Sequence, residues 1–295
     1  MAPRSQSLAT AHMALELDGT VIGFVRGVSG GGVKAEVMET SAPFHNQISK
    51  HIGTVNVDDL VLSVGTGLSR RFYDWVGAAL SEKHWSKEVA ILRCDSNYKV
   101  LDRSEWNRCL ISAVNFPALD VASKDPAALT IKITPESMRH TAGDGSQVKL
   151  IDSPKPWLAS TFRLQIDGLQ GGIPDVSRIE PITIGAKIQQ DWVGNDRTPT
   201  NQPGHFSVSD IVVRLPELRA KPFMDWAQEF NKSNAAQEKS GTLEFLTPKQ
   251  SAVLFELRFD RMVIHAVSMS STSGGMVEIK MYCDGIEFRA PGAAN

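Results

Sequence analysis

The sequence predicts a mainly β protein built from two tandem small antiparallel β-barrel or sandwich domains, each with one amphipathic helix. Three observations predict this fold class: short phrases that recur at nearly one offset, alternation of apolar and polar residues, and one helical stripe in each copy. The predicted boundaries are 1–145 for the first domain, 146–160 for a linker and 161–295 for the second domain. A chain of 295 residues is long enough for two ordinary cores.

Recurring phrases indicate a tandem duplication. Four short matches occur in the same order in both halves: LELDG and LQIDG, FYDW and FMDW, ISAV and IHAV, TIKI and EIKM. They begin at Leu15 and Leu164, Phe72 and Phe223, Ile111 and Ile264, and Thr130 and Glu278, which gives offsets of 149, 151, 153 and 148 residues. A unit of about 150 residues is too long for a solenoid repeat, so each copy is predicted to be a domain with its own core.

Alternating apolar and polar residues predict strands, because successive side chains of a strand point to opposite faces. The first strand of each copy has apolar residues at Met13, Leu15 and Leu17 and at Phe162, Leu164 and Ile166. Further strands are predicted at 33–37 and 182–188, from Asp59 and Asp210, and near Val89 and Leu243, Cys109 and Phe255, and Leu129 and Val277. Short connections without intervening helices favour antiparallel pairing.

One amphipathic helix is predicted in each copy, at the FYDW and FMDW phrases. The apolar residues of the first helix fall on one stripe: Phe72, Trp75, Val76, Ala79 and Leu80. Ser69 is in position to cap this helix, and Pro222 suits the first turn of the second. Each helix is expected to close one end of a barrel with its Phe and Trp, whereas Asp74 and Asp225 are expected on the solvated face.

Composition and charge argue against several classes of protein. The formal charge is −2, with 31 basic and 33 acidic residues mixed along the chain, so no basic face for nucleic acid and no polybasic membrane signal stands out. No apolar run approaches the roughly 20 residues that cross a bilayer, and the N-terminus lacks the apolar middle of a signal peptide. Cys94, Cys109 and Cys283 are odd in number and lack C-x-x-C spacing, which predicts reduced, mostly buried thiols.

Catalytic and ligand-binding motifs are weak, so the sequence predicts no enzyme, no cofactor and no catalytic, cofactor-binding or metal-site residues. The glycine phrases at 30–32 and 65–67 lack the further residues of a nucleotide-binding loop. His45 and His51 have no carboxylate or cysteine cluster to complete a metal site. His265 lies among apolar residues of a predicted strand and is expected to be a core or interface histidine.

Long connections are a further feature of the sequence. Residues Ser41–Val57 and Gln190–Phe206 are long for hairpin loops, which usually have about two to five residues. Isolated aromatics such as Trp192 favour segments that fold back onto their own domain or bind a partner. The segment Thr141–Ser160, with two glycines and two prolines, is interpreted as the connection between the domains.

These segments together resemble the tail tube family of contractile phages. That family also occurs in phage-like contractile injection particles and is structurally akin to the tube protein of type VI secretion. The resemblance rests on a strand ending in LDG or IDGL, a strand-turn-strand, the FYDW helix after a strand, a hairpin with AV and a final charged strand. It covers nearly the whole chain, once per copy. The doubling departs from the family, whose usual subunit is one such domain.

The resemblance implies stacked rings of six domains around a central channel. With two domains per chain, three chains complete a ring, so a pseudo-sixfold trimer is expected, through which DNA or a protein payload passes without specific binding. Expected partners are further copies of the chain, and sheath, baseplate and tail-terminator proteins, with no membrane. The expected location is a virion tail or injection particle, assembled in the bacterial cytoplasm.

The channel surface is expected to be polar or acidic, because basic residues facing DNA would bind its phosphates and retain it. The sequence suggests Glu16, Asp18, Gln165 and Asp167 as members of that surface. Lys and Arg are then expected on faces turned towards a sheath.

Two alternatives remain open from the sequence. A low-copy tube-initiator or baseplate adaptor would also use a doubled domain, because three chains match a sixfold tube on one side and a threefold spike on the other. A ligand-binding tandem split β-barrel would hold a flavin or a lipid between its domains. The Leu, Ile, Val and Phe residues of the predicted strands favour a packed barrel over a binding cavity.

Overall fold

The protein is described by a computed structural model that covers residues 12–41, 48–83, 85–149, 155–169, 171, 173–191, 199–232, 237–270 and 275–290. Within these ranges the chain is mainly antiparallel β-sheet with two α-helices, so the predicted fold class is confirmed. Apolar side chains from alternate strand positions fill the interior, as the period-two pattern predicts.

The first repeat runs from β1 to β11. Its elements are β1 (His12–Leu17), β2 (Thr20–Phe24), β3 (Gly27–Gly30), β4 (Val33–Ser41), β5 (Ile48–Val57), β6 (Leu60–Val64), α1 (Arg70–Leu80), β7 (Lys87–Cys94), β8 (Val100–Phe116), β9 (Leu119–Asp120), β10 (Leu129–Thr134) and β11 (Ser137–Ala142).

The second repeat runs from β12 to β22. Its elements are β12 (Phe162–Ile166), β13 (Arg178–Ile179), β14 (Ile182–Ala186), β15 (Gln189–Asp191), β16 (Thr200–Gln202), β17 (Phe206–Val208), β18 (Ile211–Pro216), α2 (Lys221–Lys232), β19 (Lys239–Leu246), β20 (Val253–Ser270), β21 (Met276–Tyr282) and β22 (Gly285–Arg289). Two short 3-10 helices, Ile173–Asp175 and Glu217–Arg219, precede β13 and α2.

The two repeats have the same strand order. The first reads β1-β7-β8-β10-β6-β3 and the second β12-β19-β20-β21-β18-β13, with β11 and β22 added to the long strands β8 and β20. The registers also agree, because Val114 lies opposite Ile131 in the first repeat and Val267 lies opposite Ile279 in the second. The similarity of the two halves therefore extends from short sequence phrases to the pairing of individual residues.

The long strands β8 and β20 begin earlier than the sequence suggested. Strands were expected near Cys109 and Phe255, but they start at Val100 and Val253. Residues 102–108 of β8 are polar except Trp106, so this stretch shows no clean alternation. Each long strand serves two sheets, its first half pairing with β7 or β19 and its second half with β10 or β21.

The helices explain the repeated FYDW and FMDW phrases. Trp75 and Trp226 are almost fully buried, and their indole Nε1 atoms donate to the carbonyl oxygens of Trp85 and Gln237, each at 2.8 Å. Each tryptophan thus fills the core and also fixes the chain that follows its helix. The expected burial of these aromatics is confirmed in both repeats.

The polar residues of the helices lie mostly as predicted. Asp74 and Asp225 are exposed and form i,i+4 ion pairs with Arg70 and Lys221. Pro222 lies in the first turn of α2. The predicted capping bond is wrong: Ser69 occupies the N-cap position, but its side chain makes no capping hydrogen bond. Its backbone carbonyl instead accepts from the Phe72 amide.

The core is continuous between the repeats. Each repeat was expected to have its own core, but buried residues of both form one cluster in the described part of the chain. Trp157 belongs to this cluster although it lies in the predicted linker, and Val148 and Ala159 are also buried. The boundaries 1–145, 146–160 and 161–295 stay a prediction, whereas the linker packs against both repeats in the residues that are described.

The two long connections contain more regular structure than predicted. In the segment expected as a loop from Ser41 to Val57, Ser41 ends β4 and Ile48–Val57 forms β5, its partner in a hairpin, whereas 42–47 lie outside the described residues. In the segment from Gln190 to Phe206, β15 pairs with β16, and 192–198 lie outside the described residues. Alternation in these segments is irregular, which is why the sequence suggested loops.

Candidate functional site

A strand pairing joins the two repeats within one chain. Strand β14 of the second repeat adds to the edge of β8 in the first, with Ile182 opposite Phe116 and Ile184 opposite Val114. Both isoleucines are buried, so the pairing combines backbone hydrogen bonds with apolar contact. We call this contact the internal junction. It adds β14 and its partner β17 from the second repeat to a ten-stranded sheet otherwise formed by the first repeat. There they continue β3, β6, β10 and β8, and we call these six strands the joined sheet.

The internal junction continues along the connection between β14 and β17. Asn201 is buried, its backbone amide donates to Glu136 Oε1 at 2.8 Å, and its Nδ2 donates to the Thr134 carbonyl at 3.3 Å. Thr134 is the last residue of β10, and Glu136 lies in the turn between β10 and β11 of the first repeat. The second repeat therefore holds the first by a strand and by a buried amide.

An aromatic cluster fills the space behind the internal junction. Phe245, Phe255 and Phe288 of the second repeat meet Phe116 and Trp157, with ring centroids 5.3 to 5.9 Å apart for the contacting pairs across the boundary. Aromatic pairs at such distances contribute about 0.5–1.5 kcal/mol each beyond their buried area. The cluster makes the contact between the repeats a permanent one.

Helix α1 completes the cluster. The Tyr73 ring lies 5.2 Å from that of Phe255, and its hydroxyl donates to the Gly65 carbonyl at 2.6 Å. Burial raises the pKa of Tyr73 well above its ordinary value, so the hydroxyl stays protonated. Gly77, one turn further along α1, faces Phe288: an added Cβ would lie 3.5 Å from its carbonyl oxygen.

The equivalent strand edge of the second repeat has no partner among the described residues. In β20, residues 263–270 pair with β21 on one side only, whereas the same part of β8 pairs with β10 and with β14. Met269, at the end of this edge, is 64% exposed. An unpaired strand edge presents free N–H and C=O groups that can bind another strand.

The hairpin β4–β5, which we call the first arm, is also exposed. Val33, Val37 and Ile52 are 51%, 60% and 59% exposed. Its counterpart in the second repeat, which includes β14, is held against the first repeat at the internal junction. We call this counterpart, the strands from β14 to β17, the second arm. The second arm and the β8 edge bind each other within the chain, whereas their equivalents, the first arm and the β20 edge, stay exposed.

The outer face of the joined sheet carries small uncharged residues next to the internal junction. They alternate with the buried residues and comprise Ala113, Asn115, Thr130, Thr183 and Gly185. The charge of Lys132 on this face is compensated, because its Nζ lies 2.7 Å from Asp59 Oδ2.

The acidic residues suggested for a channel lie elsewhere. Glu16 is buried and accepts from Arg103 Nη1 and Nη2, each at 2.6 Å. Asp18 and Asp167 lie in the turns that follow β1 and β12, and Gln165 is exposed on β12. These strands pair with β7 and β19, not with the strands of the joined sheet. The suggestion that Glu16 offers an acidic surface is wrong, because Arg103 neutralises it.

Two of the three histidines and all three cysteines noted in the sequence lie within the described residues. His265 is partly exposed and its Nε2 lies 3.1 Å from Asp210 Oδ2; His45 is outside the described residues and His51 lies on β5. The three cysteines are free. Burial raises the pKa of Cys109, and it raises that of Cys283 to about 11, so both thiols stay protonated at neutral pH.

Within the described ranges, no group of three or more His, Cys, Asp and Glu residues is arranged to hold a metal ion. No helix in the same ranges is long and apolar enough to cross a membrane. The residues that matter most at the internal junction, Phe116, Trp157 and Asn201, were not predicted from the sequence. An isolated tryptophan in a Pro-containing segment was the one available signal.

The fold and the internal junction define a class: a tandem-repeat, mainly β protein with a head-to-tail contact between its repeats. No protein-family model and no curated protein matches the sequence. Among solved structures, similarity is found to a chain of the sheath–tube complex of the extracellular contractile injection system PVC in its extended state. The identity is 16%, the match covers 47% of this chain and 94% of that chain, and the TM-score is 0.42.

Two further structures are components of the anti-feeding prophage. The tube-terminating cap is 16% identical over 48% of this chain and 100% of that chain, with a TM-score of 0.41. A chain of the baseplate is 10% identical over 44% of this chain and 91% of that chain, with a TM-score of 0.36.

Proposed function

We propose that this protein is a structural, non-enzymatic subunit of the tail tube of a phage or phage-like contractile injection particle. Three chains form a pseudo-sixfold ring, rings stack into a tube, and DNA or a protein payload passes through the central channel. Sheath, baseplate and terminator proteins are its partners in the particle, which is assembled in the bacterial cytoplasm.

One observation carries the proposal. Each chain contains one complete junction between its own repeats, and it leaves exposed the two surfaces that would form the same kind of junction with a neighbouring chain. The second arm is bound to the β8 edge, whereas the first arm and the β20 edge are exposed. A contact between two different surfaces of the same chain is heterologous, and repetition of such a contact produces a closed ring or a filament.

The outer face of the joined sheet is the proposed channel surface. Ala113, Asn115 and Thr183 are small and uncharged, and Lys132 on this face is paired with Asp59. Unpaired basic residues would bind the phosphates of passing DNA by counterion release. A surface of small side chains with compensated charges lets either cargo slide.

The packing between the repeats bears on the ligand-binding alternative, whereas the adaptor alternative requires a different measurement. The space between the repeats, where a tandem split barrel would hold a flavin or a lipid, is filled by the aromatic cluster around Trp157 and Phe255. This packing favours the tube subunit over the ligand-binding protein. A tube-initiator or baseplate adaptor would use the same ring, so copy number per particle distinguishes it from the repeated subunit.

Electron microscopy of the assembled particle tests the ring. We expect rings with three chains and six similar lobes, because each chain supplies two repeats. Mass photometry of isolated rings provides the number of chains. Six whole chains in a ring, or a chain that stays monomeric at high concentration, would contradict the proposal.

The first arm is expected to be needed for elongation. A Val37→Ser/Ile52→Ser variant changes two exposed apolar residues that face each other across the hairpin. We expect it to fold with an unchanged circular dichroism spectrum and to lose rod formation at least tenfold, measured as total rod length by negative-stain microscopy. Leu218→Ser, at an almost fully exposed residue outside the arm, is the matched control and should elongate normally. Rods of normal length from the arm variant would show that the arm has no such role.

A further inference from the structure

We infer that the junction between neighbouring chains is a polar counterpart of the internal junction. Residues 32–34 of one chain pair with residues 266–268 on the β20 edge of the next, and the partner is a second copy of this chain. Behind that pairing, a polar cluster of the first repeat takes the place of the aromatic cluster. This inference rests on the head-to-tail assembly proposed above and specifies its contact.

The register on the arm follows from equivalent backbone hydrogen bonds. The Ser209 amide donates to the Thr183 carbonyl at 2.8 Å, and the Asp58 amide donates to the Gly32 carbonyl at 2.8 Å. These bonds close the same hairpin base in the two repeats, so Thr183 corresponds to Gly32. Two residues further along each strand, Gly185 corresponds to Lys34.

The register on the edge follows from the neighbouring strands. Asn115 lies opposite Thr130 in the first repeat, and Ser268 lies opposite Glu278 in the second. The phrases TIKI and EIKM align Thr130 with Glu278, so Ala113 corresponds to Ala266. Gly185 lies opposite Ala113 at the internal junction.

Transferred to two chains, this pairing places Lys34 of one chain opposite Ala266 of the other. Val33 then lies opposite Val267, and the exposed Met269 is covered by the base of the arm. Val33 and Lys34 are exposed, and Ala266 and Val267 are half-buried. The pairing ends at Gly32, because Gly31 is buried and its amide and carbonyl already bind the Asp59 carbonyl and the Trp106 indole. A strand added here would satisfy the free edge of β20, as β14 satisfies the edge of β8.

The end of the first repeat that would meet the neighbour is polar. Phe245 lies opposite Phe255 and Phe288 opposite Leu257 in the second repeat, and these four side chains are buried. The equivalent positions of the first repeat are occupied by Arg93 opposite Asp102 and by His140 opposite Ser104. The three phenylalanines that the second repeat contributes to the aromatic cluster, Phe245, Phe255 and Phe288, thus correspond to the polar residues Arg93, Asp102 and His140.

The polar residues form contacts of their own. Arg93 Nη1 lies 3.5 Å from Asp102 Oδ1, an ion pair that lacks hydrogen-bond geometry, and Ser104 Oγ lies 3.1 Å from His140 Nδ1. On the opposing side, the residues equivalent to Tyr73, Gly77 and Phe116 are Met224, Gln228 and Met269. The junction between chains therefore buries no aromatic cluster.

The polar character of this surface affects how an unassembled chain behaves. A single chain with an exposed aromatic cluster would present an apolar patch prone to nonspecific association. The polar cluster keeps the unassembled chain soluble, and the strand pairing provides the geometry of the contact. The ring then contains two alternating kinds of junction, one permanent within each chain and one reversible between chains.

Paired cysteines test the register. At the internal junction, a Cβ added to Gly185 would lie 3.5 Å from the Ala113 Cβ, within the separation that a disulfide needs. Lys34→Cys/Ala266→Cys places the same geometry between chains. Cys283→Ser is included in every variant, because Cys283 is the partly exposed native thiol. On oxidation of assembled protein, we expect a nonreducing gel with linked chains that end at the ring size.

Two controls accompany this variant. Lys34→Cys/Met269→Cys moves one partner by three residues, about 10 Å along a strand, and should link at least tenfold less. Ala113→Cys/Gly185→Cys should link within the chain and produce no ladder. Equal linking of both Lys34 variants, or none from Lys34→Cys/Ala266→Cys in rings visible by microscopy, would overturn the register while leaving the ring intact. Absence of rings would instead contradict the proposed function.

Dilution tests the reversible character of the junction. Sedimentation of diluted rings is expected to show single chains with native circular dichroism spectra, because the internal junction survives when the junction between chains opens. Rings that persist at every dilution until the chain unfolds would contradict a polar junction.

Discussion

Replacing Trp75 with alanine is expected to lower the free energy of unfolding by about 3 to 5 kcal/mol, the usual cost of truncating a buried aromatic residue. Trp75 is almost fully buried, packs edge-on against Phe72 and donates to the Trp85 carbonyl. Its removal leaves a cavity and an unpaired carbonyl. Because domains are stable by only about 5–15 kcal/mol, a large part of that stability is lost.

Chemical denaturation followed by circular dichroism measures this change. Trp226→Ala is expected to behave alike, because Trp226 has the same burial and the same kind of hydrogen bond in the second repeat. Trp85→Ala is the matched control: its side chain is 56% exposed and the carbonyl that accepts from Trp75 is retained, so a change within about 0.5 kcal/mol is expected. Equal losses from Trp75→Ala and Trp85→Ala would contradict the assigned role.

Replacing Gly30 with alanine is expected to destabilise the protein by about 2 to 5 kcal/mol. Gly30 has a φ of +75°, where a side chain costs about 1–2 kcal/mol. An added Cβ would also lie 2.0 Å from the Asp59 carbonyl oxygen, which accepts the Gly31 amide, and such overpacking costs about 1–3 kcal/mol. The clash is with backbone, so a rotamer change cannot relieve it.

The adjacent Gly32 provides the control for Gly30. A Cβ added to Gly32 meets nothing within 4 Å, so Gly32→Ala is expected to be nearly neutral. Thermal unfolding of the two variants, compared with the wild type, measures the difference. Similar midpoints for Gly30→Ala and Gly32→Ala would contradict this explanation of the GGG phrase.

The duplication has a simple relation to the proposed ring. A single-domain subunit would form every contact of such a ring between separate chains, whereas this chain already contains one repeat-to-repeat contact, packed by Phe116, Phe245 and Trp157. The two copies are then free to diverge, since each meets a different neighbour. The exposed first arm and the buried second arm follow that division.

The sequence by itself determined the features that depend on short-range periodicity. The offset of about 150 residues, the strands at Leu15 and Leu164, and the helices around Trp75 and Trp226 all follow from spacings of two to eight residues or from direct repetition. Each of these patterns can be recognised without knowing what packs against it, because a strand or an amphipathic helix has one buried face.

Only the tertiary structure decided how the repeats meet. The pairing of β14 with β8 joins residues more than 60 positions apart, and Asn201 binds Glu136 from a segment without a clear pattern. Trp157 gives no periodic signal, yet it is buried between the repeats. Neither the free edge of β20 nor the filled edge of β8 is visible in the chain, because similar strand residues occupy both. Which edge is covered depends on where the rest of the molecule lies, and local sequence does not encode that position.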